Sequence, residues 1–194
     1  MKKFLIIILF FNLSSGHVYS AKPDEFIQST VNRASQILSK NISKQEKMNE
    51  LKILAEEIVD IRGIGFYSLG SARKDLNDSQ KKIYFDLFEG YFLKSFSSRL
   101  SEYTNPKIEV KSKKILNKNY TIVNSVLIST LDRPEVQIDW RIYTKNPDDP
   151  LIRDLIIEGL SLARTQKEEF ASILSSNNSD INVLFKTLEN FSKN

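Results

Sequence analysis

The chain has 194 residues, 28 basic and 24 acidic side chains, no cysteine, and one histidine, His17. Disulfides, cysteine nucleophiles and cysteine-ligated metal centres are excluded, and imidazole chemistry has a single residue to draw on. The formal net charge of +4 falls to +2 without Lys2 and Lys3, and no cluster has the density of a nucleic-acid-binding arm.

Lys2 and Lys3 precede an unbroken apolar run over residues 4–11 (FLIIILFF), and a polar stretch follows. Val18 and Ser20 are small enough for the minus-three and minus-one positions of a cleavage point after Ser20. Such a run is far short of the about 20 residues that span a bilayer. Residues 1–20 are therefore predicted to be a cleaved signal peptide, and residues 21–194 one exported, soluble domain. Removal of the leader takes His17 with it. The Lys/Asn/Ile-rich composition makes the periplasm the expected compartment.

Pro23, Asp24 and Glu25 suit the first turn of a helix over 24–40, with Phe26, Ile27, Val31, Ala34, Ile37 and Leu38 on its apolar face. Ser43 and Glu46 have capping-box spacing and open a second helix carrying Met48, Leu51, Leu54, Ala55, Ile58 and Val59. Residues 62–70 (RGIGFYSLG), with three glycines in nine residues, are read as an interruption. Asn77 with Gln80 caps a long helix reaching about Tyr103. Its broad apolar face holds Ile83, Tyr84, Leu87, Phe88, Tyr91, Phe92, Phe96 and Leu100, and Pro106 stops it.

The period then changes to two. Strands are predicted over 108–116, 120–130, 136–143 and 152–157, with turns at 117–119 and 132–134 and a loop at 146–150 (NPDDP). Val136, Ile138, Trp140 and Ile142 alternate strictly with Gln137, Asp139, Arg141 and Tyr143. The short connections predict an antiparallel four-stranded meander. After Gly159 the pattern is helical again. Thr165 and Glu168 are read as a cap, Phe170, Ile173 and Leu174 face inward, and a last helix starting at Asp180 carries Val183, Leu184, Leu188 and Phe191. The fold class is α+β, with helices packed on a mostly antiparallel four-stranded sheet.

Catalytic motifs are sparse. Gly63 and Gly65 follow no strand and lack the third glycine of a dinucleotide loop. Asp139, Asp154 and Glu158 lie in the predicted sheet and are candidates for paired-carboxylate chemistry, set against a plain role as solvated or Arg-paired side chains. Asp148 and Asp149 are too few for a calcium site. Lys111, Lys113, Lys114 and Lys118 form the densest basic patch, read either as a solvated strand face or as a contact for acidic headgroups or an acidic partner. What stands out is apolar bulk: an aromatic helix facing a sheet with Trp140. Tight packing and an imperfectly filled, ligand-holding core share that signature.

The stretch 140–170, WRIYTKNPDDPLIRDLIIEGLSLARTQKEEF, resembles the MlaC/Ttg2D family of periplasmic phospholipid-binding components of ABC-type lipid transport. Asp154, Ile156, Glu158, Gly159, Leu160, Ser161 and Leu162 match the family's D-hydrophobic-x-hydrophobic-E-G-hydrophobic-S-hydrophobic segment after a Trp-bearing strand. Leu69, Gly70, Arg73, Gln80, Phe85, Phe88, Leu100, Tyr103 and Phe170 fit further family positions, whereas Ala72 and Gln166 depart from bulky and aromatic ones. The resemblance covers about residues 24–190. It implies a non-enzymatic carrier with no cofactor, moving phospholipid between an outer-membrane lipoprotein complex and an inner-membrane ABC transporter, without nucleic acid as a partner. The other reading is a periplasmic protein-binding or chaperone module. The implied acyl pocket has Phe88, Tyr91, Phe92 and Phe96 on its helix side. Val126, Ile128, Ile138, Trp140 and Ile156 form its sheet side, with Arg141 and Lys167 near the phosphate.

Overall fold

The computed structural model describes residues 22–131 and 133–193; the predicted leader, His17 included, lies outside them. The first helix, α1 (Pro23–Ser39), starts with proline, whose missing N–H costs nothing in a first turn. It buries Ile27, Val31 and Leu38. Its Asp24 accepts a 2.6 Å hydrogen bond from Lys113 on the sheet, which holds the carboxyl below its usual range. α2 (Lys44–Ile58) opens with the predicted capping box: the Glu46 N–H donates to Ser43 Oγ, and the Ser43 N–H donates to the Glu46 carboxylate.

The segment read as an interruption is helical. α3 (Ile61–Ser68) is capped by Asp60, whose carboxylate accepts from the Gly63 N–H at 2.7 Å. A 3-10 turn, Gly70–Lys74, follows. The glycines serve close packing rather than a break. A Cβ at Gly65 would stand 2.7 Å from the Phe88 ring, so α3 lies hard against α4 (Asp78–Leu100). Tyr84 of α4 donates its hydroxyl to the Gly65 carbonyl at 2.9 Å. Burial pushes that phenol far above its ordinary range and keeps it a neutral donor. The Asn77–Gln80 capping box forms as predicted, and α4 ends three residues before Tyr103.

The strands β1 (Ile108–Asn117), β2 (Tyr120–Leu127), β3 (Val136–Tyr143), β4 (Leu151–Ile157) and β5 (Leu160–Ser161) follow one another in space as an antiparallel meander. The sheet thus has five strands, not four. Glu158 (φ 50°) and Gly159 (φ 80°) are both left-handed, the backbone of a two-residue hairpin reversal. That reversal folds Leu160 and Ser161 back onto Ile157 and Ile156. A strand of two residues has no period to read. β2 also stops three residues short of the predicted end.

Ser161 then caps α5 (Leu162–Ser175), its hydroxyl accepting from the Arg164 N–H at 3.1 Å. The predicted cap at Thr165 lies one turn inside the helix, where its hydroxyl donates to the Ser161 carbonyl. α6 (Ile181–Lys193) closes the chain after Asp180 and packs along α4.

Register fixes which sheet face meets the helices. Val123 pairs with Trp140 and Trp140 with Leu155, while Ser125 pairs with Ile138 and Ile138 with Ile157. Directly paired residues share a face. Val123, Trp140, Ile142, Ile152, Ile138 and Leu155 join one core with Ile27, Val31, Leu54, Phe88, Phe170 and Leu184 from the helices. Replacing Gly65 by alanine is expected to destabilise the protein by about 1–3 kcal/mol, because the methyl group meets a fully packed ring. Urea unfolding monitored by circular dichroism checks this.

Candidate functional site

Apolar burial falls along α4 and along β3, whose side chains share one core. On α4, side chains four apart share a face. Tyr84 and Phe88 are 0% and 1% exposed, but Phe92 and Phe96, one and two turns on, are only half-buried. Phe92 and Phe96 stack on each other with ring centres 5.8 Å apart. On β3, Ile142 is 0% and Trp140 9% exposed, whereas Ile138 and Val136 are half-buried.

The two gradients run toward the same end. The β2–β3 connection carries Arg133, whose guanidinium donates to the Glu102 carbonyl and lies 4.7 Å over the Tyr103 ring, just past the C-terminus of α4. The interior is tightly packed where Phe88 meets α3 and α5, and its side chains are more exposed where α4 ends beside the β2–β3 turn. At the packed end Phe88 contacts the rings of Tyr84, Tyr91, Phe92 and Phe170, each with centres within 6.2 Å. The Tyr91 hydroxyl, its ionisation suppressed mainly by burial, donates to Gln166 of α5 at 2.8 Å.

The sequence-predicted residues divide accordingly. Phe88 and Trp140 belong to the core, and Tyr91, Phe92, Phe96 and Ile138 pack against it. Val126 pairs with Gln137, and Ile156 with Asp139, so both sit on the sheet face opposite Trp140. Assigning them to one wall with Trp140 is corrected by the register, which puts Leu155 there instead. Ile128 lies past the end of β2, its N–H donating to the Lys107 carbonyl. The proposed phosphate contacts do not converge. Arg141 shares the Val126 face and reaches Asp154 at 3.4 Å, while the Lys167 ammonium sits 5.2 Å over the Tyr67 ring beside α3.

Sequence reasoning missed Ser125. Its buried hydroxyl accepts the Trp140 indole N–H at 2.8 Å and donates to the Ile138 carbonyl at 3.0 Å, so the indole nitrogen is satisfied inside the core. Only the strand register exposes that pairing.

The carboxylates serve the fold. Asp154, 3% exposed, accepts from the Ser161 hydroxyl at 2.6 Å and from the Ala163 N–H at 3.0 Å, and faces Arg141. Asp139 accepts from the Asn124 amide at 2.7 Å, and Glu158 from the Gln137 N–H at 2.5 Å. Each has a different structural partner. Asp148 and Asp149 remain on an exposed loop, and among the described residues no three potential ligands gather around a metal position. A surface groove of about 660 Å³ runs between α3 and the start of α4, lined by Arg62, Phe66, Lys81 and Phe85 and crossed by the Asp60–Arg153 ion pair.

A family model for the MlaC protein matches residues 28–190. The chain belongs to the MlaC family. Members of that family are non-catalytic phospholipid carriers of the bacterial periplasm, associated with ABC-type lipid transport. Among solved structures, a phospholipid-binding protein from Ralstonia solanacearum, determined with a phospholipid at 1.53 Å resolution, superposes with a TM-score of 0.74 at 18% identity. The match covers 89% of this chain and 98% of that one, and it shows a shared fold. No curated protein matches the sequence. Among the described residues no helix is long and apolar enough to cross a membrane.

The MlaC-like segment 154–162 now has a physical account. Glu158 and Gly159 form the reversal, Ser161 caps α5, and Asp154 ties both to β4. Asp154→Ala leaves a buried N–H, a hydroxyl and a guanidinium without their acceptor. It is expected to cost about 3 kcal/mol or more in chemical denaturation.

Proposed function

We propose that this MlaC-family protein holds one phospholipid with its acyl chains between the C-terminal half of α4 and the inward face of β3 and β4. The observation that carries this is the matched fall in burial on the two layers, from Phe88 to Phe96 on one and from Ile142 to Ile138 on the other. Phe92, Phe96, Ile138 and Leu155 line the cleft, Phe88 and Trp140 form its floor, and the headgroup stays at the mouth near the β2–β3 turn. Residues 21–194, freed of the 1–20 leader, act as one lipid-binding domain.

The chemistry fits a shuttle. Each methylene moved from water to an apolar site gains about 0.8 kcal/mol, so a diacyl lipid does not cross an aqueous space alone at a useful rate. Exchange between bilayer and cleft is apolar to apolar and has little driving force of its own. Direction comes from partners: an outer-membrane lipoprotein complex at one side and an inner-membrane ABC transporter complex at the other.

Native mass spectrometry of the purified protein, followed by organic extraction, tests the cargo. Stoichiometric phospholipid is the expected result. Protein that stays empty after incubation with liposomes would instead favour a protein-binding module.

The cleft is tested by contrast. Phe96→Ser and Ile138→Ser are expected to cut retained lipid by about tenfold or more, since each removes apolar surface from the chains, with only modest loss of stability at half-buried sites. Trp140→Ala is expected to cost about 3–5 kcal/mol of stability. Comparing extracted lipid with melting temperature across the three variants separates wall from floor; equal lipid content in all would sink the assignment.

A further inference from the structure

We propose that the tip of the β1–β2 hairpin lands on an anionic lipid surface. Residues 111–120 (KSKKILNKNY) contain four lysines and no acid. Within them, Ile115 is 73% and Leu116 45% exposed, consecutive at the register shift just before the two-residue turn that joins β1 to β2. Lys111 pairs with Glu109, and Lys113 is held by Asp24 of α1. Lys114 and Lys118 are exposed and, among the described residues, face no carboxylate within ion-pair distance.

Lysines along an edge strand deter sheet-to-sheet pairing, and β1 is an edge. That accounts for cations on the strand. It does not account for two bare aliphatic side chains beside them, nor for Lys118 in the turn. Aliphatic side chains flanked by unpaired ammonium groups are the chemistry of an interfacial contact: the chains enter the acyl boundary while the cations meet phosphates. A convex hairpin tip suits a deformable bilayer better than a protein pocket. In a meander the β1–β2 and β2–β3 turns lie at opposite ends of β2. Landing on this tip therefore leaves the mouth of the cleft free for a protein partner.

Cosedimentation of the whole exported protein with vesicles tests the proposal. Vesicles of phosphatidylcholine with phosphatidylglycerol are compared with phosphatidylcholine alone. Binding to the anionic vesicles is expected, weakening as salt rises. Lys114→Gln with Lys118→Gln is expected to weaken it about 30-fold, roughly fivefold per charge. Ile115→Ser with Leu116→Ser is expected to weaken it about tenfold or more. Extracted lipid is measured on the same variants and is expected to be unchanged, so failure of the landing site and failure of the carrier reading are told apart. Equal vesicle binding by wild type and variants overturns the proposal. So does lysine-dependent delivery without vesicle binding, which would assign the tip to an acidic protein partner, and so does self-association of the glutamine variant with vesicle binding intact.

Discussion

Asp154 is the residue on which the second half of the fold turns. A carboxylate removed from water is costly unless its oxygens find donors. Here the donors are the Ser161 hydroxyl, the Ala163 N–H at the start of α5, and Arg141 across the strand. Two of them exist only if the chain reverses after Ile157 and enters a helix at once. The left-handed pair Glu158 and Gly159 makes that reversal possible. The N-terminal end of α5, with its positive dipole, then faces the buried charge. With α5 fixed over β4, Phe170 is carried against Phe88 and Tyr84, with ring centres 6.2 and 6.5 Å away.

That contact closes one end of the interior, and the closure has a functional consequence. A carrier must release its cargo, so the cavity wall cannot also be the main source of stability. In the proposed arrangement the tasks are spatially separate. Tyr84, Phe88, Phe170 and Gly65 pack without slack around a satisfied hydroxyl, and the Trp140–Ser125 pair does the same on the sheet. Phe92, Phe96 and Ile138 lie beyond this plug and are half-buried. Under the proposed site, lipid exchange beside Phe96 and Ile138 would leave the packed end intact.

Much of this was legible in the residues. Alternation over 136–143 located β3 to the residue, and the capping pairs Ser43–Glu46 and Asn77–Gln80 marked two helix starts, because both signals are local. Residues 62–70 misled because glycine reads as a breaker. Here Gly65 is needed for the close approach of two helices, a tertiary demand invisible along the chain. Val126 and Ile156 were placed on the wrong face because the side-chain period of two gives parity within a strand but not between strands. Register across the β2–β3 and β3–β4 connections decides that, and β4 carries a bulge opposite Arg141 and Ile142. The resemblance located the family through residues 154–162, and these residues build the reversal and the α5 cap.

The arrangement also constrains how such a carrier works. Little free energy separates a lipid in the cleft from a lipid in a bilayer, so tight binding would trap the cargo and weak binding would lose it to the nearest membrane. A cleft open at one end meets that balance through access rather than affinity. In the proposed arrangement the mouth sits where α4 ends beside the β2–β3 turn, and the lysine-bearing β1–β2 tip lies at the far end of β2. A protein seated on a membrane by that tip would present its mouth away from the bilayer. Cargo would then pass through a docked partner rather than directly into the lipid beneath. Partner docking, with the energy of the ABC-type complex behind it, would set the direction of travel.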